Sequence, residues 1–255
     1  MYLKVVSRAA FIIVIPFIIT CCAGSVASRK ERAQVQEDMG RSLVVNGKPR
    51  DGLVYLLESE KLNPSNPEIH YNLALAYREI DEYELSLQHF KKAIVLKPKY
   101  PEAYNDMGIL YSQKKDWDNA LDCFKKAAAE ILYSTPHYAY HNMGSVYFHK
   151  SDYDKAIENY EKAIKLSPTH VAAYQDLAIL YESIDQQDKA LAIYKTAVSI
   201  APQAWGIQLN LSRLYLKMGL KQQAIKQLNY IITTDPRSQY AKDAVKLLGS
   251  IQRPE

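Results

Sequence analysis

The chain has 255 residues, of which 32 are basic and 28 acidic, for a formal charge of +4. Without Lys4 and Arg8, which sit in a segment expected to be removed, 30 basic residues face 28 acidic ones. That balance is too even for a nucleic-acid-binding surface, and no nucleic-acid partner is expected. Of three cysteines, Cys21 and Cys22 are adjacent and only Cys123 lies in the body of the chain, so no internal disulfide framework is expected.

Residues 1–22 read as an export signal. Lys4 and Arg8 form a positive start, and Ala9 to Thr20 is an uncharged, largely apolar run of twelve residues. A membrane span needs about twenty; twelve fits the core of a signal peptide. A cysteine directly after such a core resembles a bacterial lipoprotein signal, in which that cysteine is acylated and becomes the new N-terminus. Cys22 is the expected site of lipidation, with Cys21 as the alternative. The preceding residue, Cys21 or Thr20, departs from the Gly or Ala preferred there, and an uncleaved anchor or an ordinary signal peptide are the other readings. Residues 23–32 (AGSVASRKER) read as a flexible tether. After an acylated Cys22 come Ala23 and Gly24, not the acidic residue that retains enterobacterial lipoproteins at the inner membrane. By that resemblance the protein is an outer-membrane lipoprotein facing the periplasm.

Residues 33–66 have the length of one repeat with degenerate chemistry. Met39, Gly40 and Leu43 fall on first-helix signature positions, and Gly52, Leu56 and Pro64 on second-helix ones. Gly47, Pro49 and Gly52 weaken helix propensity around the turn. An atypical first repeat suits an end cap with one face toward solvent.

The body of the chain, 67–238, reads as five repeats of a helix pair, clearest at 137–170. There Tyr140, Met143, Gly144 and Tyr147 mark one amphipathic helix, Lys150-Ser151-Asp152 a turn, and Ala156, Tyr160 and Ala163 a second helix closed by Pro168. Gly144 and Ala156 leave room for close helix crossing. Ala74, Gly108, Ala178 and Ser212 match Gly144, Tyr77, Tyr111, Tyr181 and Tyr215 match Tyr147, and Ser86, Ala120, Ala190 and Ala224 match Ala156, at a spacing of 34 residues that widens to 36 at one joint. A pair this short cannot bury both faces alone and must stack on copies of itself. The pattern resembles the tetratricopeptide repeat. It implies an all-α, right-handed superhelical solenoid of about six helix pairs plus a C-terminal capping helix. The third repeat carries two extra residues within 127–136, which should lengthen a helix end or loop and change the stacking there. Residues 239–255 read as the capping helix and tail, with Tyr240, Ala244, Leu247 and Leu248 as its apolar face.

Nearly every residue after Arg32 serves the repeats, which leaves no room for a catalytic domain. No glycine-rich phosphate loop or paired-cysteine motif is present, and no enzyme activity, cofactor or metal is expected. His137, His141 and His149, at steps of four and eight, should share one helix face. Without a completing cysteine or carboxylate on that helix, they read as solvated or partner-facing rather than as ligands. Cys123 reads as half-exposed, with nothing nearby to activate it.

Binding should therefore use the concave groove, lined by first helices. One turn either side of the packing seam lie Tyr71, Leu75, Arg78, Asn105, Ile109, His141, Phe148, Gln175, Ile179, Leu209, Arg213 and Leu216. This mixed lining suits an amphipathic or extended peptide with apolar anchors, although any one of these residues could instead pack against the next repeat. Repeats that clamp a C-terminal carboxylate use lysine and asparagine at fixed first-helix positions; here those places hold Tyr71 and Leu75, Asn105 and Ile109, and His141 and Ser145, so the cationic clamp is missing.

The lipoprotein-like start, the repeats and the irregular third joint together resemble the outer-membrane lipoproteins of type IV pilus biogenesis, the PilF/PilW pilotin family. The segment Ile131-Leu-Tyr-Ser-Thr-Pro-His-Tyr-Ala-Tyr-His-Asn-Met-Gly144 is similar to that family's Leu-Tyr, Pro, Asn-x-Gly run at the same lengthened joint. The resemblance implies a non-enzymatic, membrane-anchored scaffold whose partner is an outer-membrane secretin or another pilus component. A general envelope scaffold for cell-wall enzymes and an intracellular adaptor are the alternatives.

Overall fold

The structure, a computed structural model, describes residues 14–131 and 133–252. Those residues form thirteen α-helices and no strand: α1 Val14–Val45, α2 Pro49–Leu62, α3 Pro67–Arg78, α4 Tyr83–Leu96, α5 Pro101–Gln113, α6 Trp117–Ala129, α7 Pro136–His149, α8 Tyr153–Leu166, α9 Val171–Ser183, α10 Gln187–Ile200, α11 Trp205–Lys217, α12 Lys221–Thr234 and α13 Gln239–Gln252. The chain divides into two compact units, residues 1–110 and 111–255.

One backbone device sets the repeat. Gly47, Asp81, Lys115, Ser151, Asp185 and Gly219 all take positive φ between 59° and 74°. Each lies in the turn between a first and a second helix, where one left-handed residue reverses the chain. Their spacing is 34 residues except for 36 between Lys115 and Ser151. The two extra residues lie between hairpins: the connection 130–135 has six residues, whereas 63–66, 97–100, 167–170, 201–204 and 235–238 each have four. The expected longer joint is thus a longer loop, and Tyr133 within it is buried.

In the first unit, α1 pairs with α2, α3 pairs with α4, and α2 stacks on α3. The first crossing is made by two glycines. A Cβ on Gly40 would lie 2.9 Å from the carbonyl oxygen of Gly52, and one on Gly52 would lie 2.7 Å from that of Gly40. Ala33, Leu53, Leu56, Ile69, Leu73 and Ala76 form the core around this junction. The tether expected at 23–32 lies within the 32-residue α1. Its Ala, Arg, Lys and Glu residues are good helix formers, and the turns that follow are anchored by Ala33, whose carbonyl accepts the Ser59 hydroxyl at 2.6 Å. A helix nucleated there extends at little cost. Of the expected signal segment, residues 1–13 lie outside the described residues, as do the side chains of Cys21 and Cys22 on which lipidation is expected. No helix among the described residues is long and apolar enough to cross a membrane.

In the second unit, α7 pairs with α8, α9 with α10, and α11 with α12, and α13 packs against α12 and α11. Its main core runs from Ala156 and Tyr160 through Leu177, Leu180, Ala190 and Tyr194 to Leu214 and Ala224. Small residues at 156, 190 and 224 let the helices approach while the aromatic rings fill the space between hairpins. Leu209, Leu228, Ile231 and Ala244 form a second cluster under α13, joined by Leu247 and Leu248. Tyr240, expected on the apolar face of this helix, is 44% exposed, and Ala241 is buried in its place.

Candidate protein-binding face

First helices of successive repeats are linked by a polar contact that recurs 35 residues apart. Asn72 donates to a buried Glu37 at 2.9 Å. Tyr71 donates to Asp106 at 2.7 Å, and His141 to Asp176 at 2.8 Å. The regular stacking of hairpins explains the common offset: one turn of a first helix faces the same turn of the next. Burial, followed by the charges of Asp38 and Glu68, pushes the Glu37 carboxyl above its ordinary value. Burial does the same to Asp106, partly offset by the Tyr71 hydroxyl and the Arg78 guanidinium, which lies 3.6 Å away. Tyr71 is raised by burial and by Asp106 beside it.

These links redistribute the twelve expected groove residues. In the first unit Tyr71 and Arg78 converge on Asp106, and Tyr71 also packs on Tyr100 with ring centroids 5.2 Å apart. Asn105 is buried, whereas Leu75 and Ile109 are half-buried. In the second unit Leu209 is 3% exposed and sits in the cluster under α13, so it packs a joint instead of lining an open face. Phe148 and Leu216 are half-buried against the main core. Gln175 is half-buried, and Ile179 and Arg213 are exposed on α9 and α11. Arg213 lines a hollow of about 350 Å³ with Asp243, Lys246, Leu247 and Ser250.

The histidines divide differently from the expected common face. His149 stacks on Trp117 at 5.3 Å, because eight residues from His141 it has rotated away from the seam. His137 and His141 instead gather around His170 of the next repeat, at centroid distances of 5.1 and 4.8 Å. His170 Nε2 faces His141 Nδ1 at 3.2 Å, so with His141 donating to Asp176 the hydrogens run from His170 through His141 to the carboxylate. Burial, then the neighbouring His141 and His137, pushes His170 down to about 4. Burial also lowers His137. Cys123, expected half-exposed, is buried, on the same α6 face as Ala120, Phe124 and Ala127.

Sequence reasoning missed Glu37, Asp106, Asp176 and His170, the partners in these contacts. A 35-residue offset carrying a polar pair was the signal available for the first three.

Family models described as tetratricopeptide repeats match residues 137–203 and 185–248, and one described as a TPR repeat matches residues 75–115. No curated protein gives a significant match. Among solved structures, PilF of Pseudomonas aeruginosa is similar at a TM-score of 0.72 with 19% identity, over 86% of this chain and 99% of that one. PilW, described as a widely conserved type IV pilus biogenesis factor, is similar at 0.73 with 18% identity, over 84% of this chain and 98% of its own. YrrB, described as a TPR protein with an unusual peptide-binding site, is similar at 0.53 with 20% identity, over 75% of this chain and 97% of its own. The chain belongs to the tetratricopeptide-repeat proteins, and its solenoid of helical hairpins is a protein-interaction scaffold.

Proposed function

We propose that this scaffold has no catalytic role and serves type IV pilus assembly, held at the outer membrane by a lipid on Cys22 or Cys21. Its partner is an outer-membrane secretin, whose localisation or multimerisation it aids. The observation that carries this reading is the likeness to PilF and PilW over almost their whole lengths. The lipoprotein-like start agrees with it.

A solenoid on a lipid tether raises the local concentration of whatever it binds at that membrane. The exposed first-helix side chains Ile179 and Arg213, with the half-buried Gln175 one turn before Ile179 on α9, offer an apolar anchor and polar groups. A segment of the secretin binds there. The test is a deletion strain assayed for heat- and detergent-resistant secretin multimers, complemented with wild type, Cys22→Ala and the Cys21→Ala/Cys22→Ala double variant. Loss of multimers with monomer still present, restored by wild type but not by the double variant, supports the reading. Normal multimers and normal pili in the deletion strain overturn it and favour a general envelope scaffold.

A further inference from the structure

Three residues that break the repeat pattern meet at one joint of the first unit. Position 60 of α2 is Glu60, where the other second helices carry Ile94, Ala128, Ile164, Val198 and Ile232. Position 70 of α3 is His70, where Tyr104, Tyr140, Tyr174 and Gln208 stand in later repeats. Position 89 of α4 is His89, in place of Cys123, Asn159, Ile193 and Gln227. Their ligand atoms lie within 4.8 Å of one another. His70 Nδ1 is 3.2 Å from His89 Nδ1 and 3.5 Å from Glu60 Oε1. A tetrahedral Zn²⁺ with bonds of about 2.0–2.1 Å holds its ligand atoms about 3.3 Å apart, so both spacings already match.

The hydrogens are also placed for coordination. His70 Nε2 lies 2.8 Å from the carbonyl oxygen of Pro64. In later repeats the Tyr174 hydroxyl makes the same contact to Pro168, and the Gln208 amide makes it to Pro202. A carbonyl only accepts, so His70 carries its hydrogen on Nε2 and presents a lone pair on Nδ1. A backbone carbonyl fixing the far nitrogen is the usual support of a metal-bound histidine. His70 is fully buried and Tyr77 stacks on His89 at 5.4 Å, which holds that ring in place.

We infer that Glu60, His70 and His89 form a Zn²⁺ site, with the fourth position left to water. Binding moves the His89 hydrogen from Nδ1 to Nε2 through solvent. It also draws the Glu60 oxygen away from Lys92, whose half-exposed ammonium, now 3.1 Å from it, turns outward. Because the ligands come from α2, α3 and α4, the ion clasps the first hairpin to the second.

The test uses the tag-free full chain, stripped with chelator and titrated with ZnCl₂ by calorimetry, with Co²⁺ as an optical probe. One Zn²⁺ per chain, intense visible tetrahedral Co²⁺ bands and a rise in Tm with Zn²⁺ are expected. His89→Gln and Glu60→Gln should each weaken binding at least about tenfold and abolish the Tm rise, while circular dichroism shows both folded. His170→Gln, in the other histidine cluster, should bind as wild type does. Absence of Zn²⁺ binding, unchanged binding by both His89→Gln and Glu60→Gln, or loss of binding in His170→Gln overturns the assignment.

Discussion

Gly144 and Tyr160 meet so closely that a Cβ on residue 144 would lie 2.6 Å from Cδ1 of the ring and 2.7 Å from Cε1. Tyr160 is itself 2% exposed and donates its hydroxyl to Ser145 at 3.2 Å, so the ring has nowhere to retreat. A Gly in a helix interior costs about 1 kcal/mol against Ala, yet here any side chain must displace a buried aromatic. Gly144→Val should destabilise the second unit by about 1–3 kcal/mol, the range of overpacked cores. Urea unfolding measures it, and a midpoint equal to wild type would refute close crossing at this hairpin.

The Tyr71–Asp106 contact predicts a second cost. Tyr71→Phe keeps the ring packed on Tyr100 while removing one of three groups, the others being Arg78 and Asn105, that sustain the half-buried Asp106 carboxylate. Hydrogen bonds to charged groups contribute about 1.5–3 kcal/mol, and Arg78 remains to compensate. A loss of about 1–2 kcal/mol is expected. Tyr71→Phe combined with Asp106→Asn should cost less than the sum of the two single changes, because both report the same link.

The regular hairpin core was legible in the sequence because it repeats. The small residues at Gly144 and Ala156 and the aromatics at Tyr160 and Tyr194 recur at one spacing, and each copy supports the others. The binding face was less legible. Helix periodicity gives the direction of a side chain on its own helix, but the fate of Tyr71, His141 or Leu209 depends on what the next hairpin places opposite. Asp106 and Asp176 turn two of these outward-reading residues into inter-repeat links, and α13 covers the third. The helical course of 23–32 was hidden for a related reason. Small and charged residues are compatible with helix or coil, and contacts of Ala33 and Ser59 outside that stretch decide between them.

His170 makes stability depend on pH. Its folded-state value, about 4, lies below the ordinary 6.5. The unfolded chain therefore binds the proton more readily, so stability contributed by the neutral ring is present above 6.5 and is lost as pH falls toward 4. His137, depressed by burial, acts in the same direction. The raised carboxyls of Glu37 and Asp106 act oppositely but belong to the first unit. Urea midpoints of residues 111–255 within the full chain, followed by Trp205 fluorescence with Trp117 replaced by Phe, should fall between pH 7 and pH 5. His170→Gln should flatten that slope, and an unchanged slope would remove His170 as its source.

The turn residues supply a pair of opposite changes. Ser151 takes φ of 60° and Gly219 of 74°, both left-handed. A non-glycine residue there bears about 1–2 kcal/mol of strain, against the about 0.4–1 kcal/mol that a glycine loses through unfolded-state entropy. Ser151→Gly should leave stability unchanged or raise it by up to about 1 kcal/mol. Gly219→Val should lower it by about 1–2 kcal/mol, although nothing lies within 4 Å of the added Cβ. Thermal unfolding of both variants distinguishes backbone strain from packing, since only strain predicts opposite signs at two open turns.

The binding face yields the last prediction. Ile179 is 37% exposed on α9, while Ala178 and Leu180 on either side of it are fully buried. Arg213 is exposed on α11 between the buried Ser212 and Leu214. Changing the two outward residues should leave the fold intact, because surface substitutions usually shift stability by no more than about 0.5 kcal/mol. If this face holds the partner, Ile179→Asp removes an apolar anchor and Arg213→Glu reverses a charge. Either should reduce capture of the purified secretin by at least about tenfold, the usual effect of losing a contact worth more than 1.4 kcal/mol. Lys195→Glu, on the exposed side of α10, serves as the control and should bind normally. Equal capture by all three variants would move the interface off the first-helix face of the second unit.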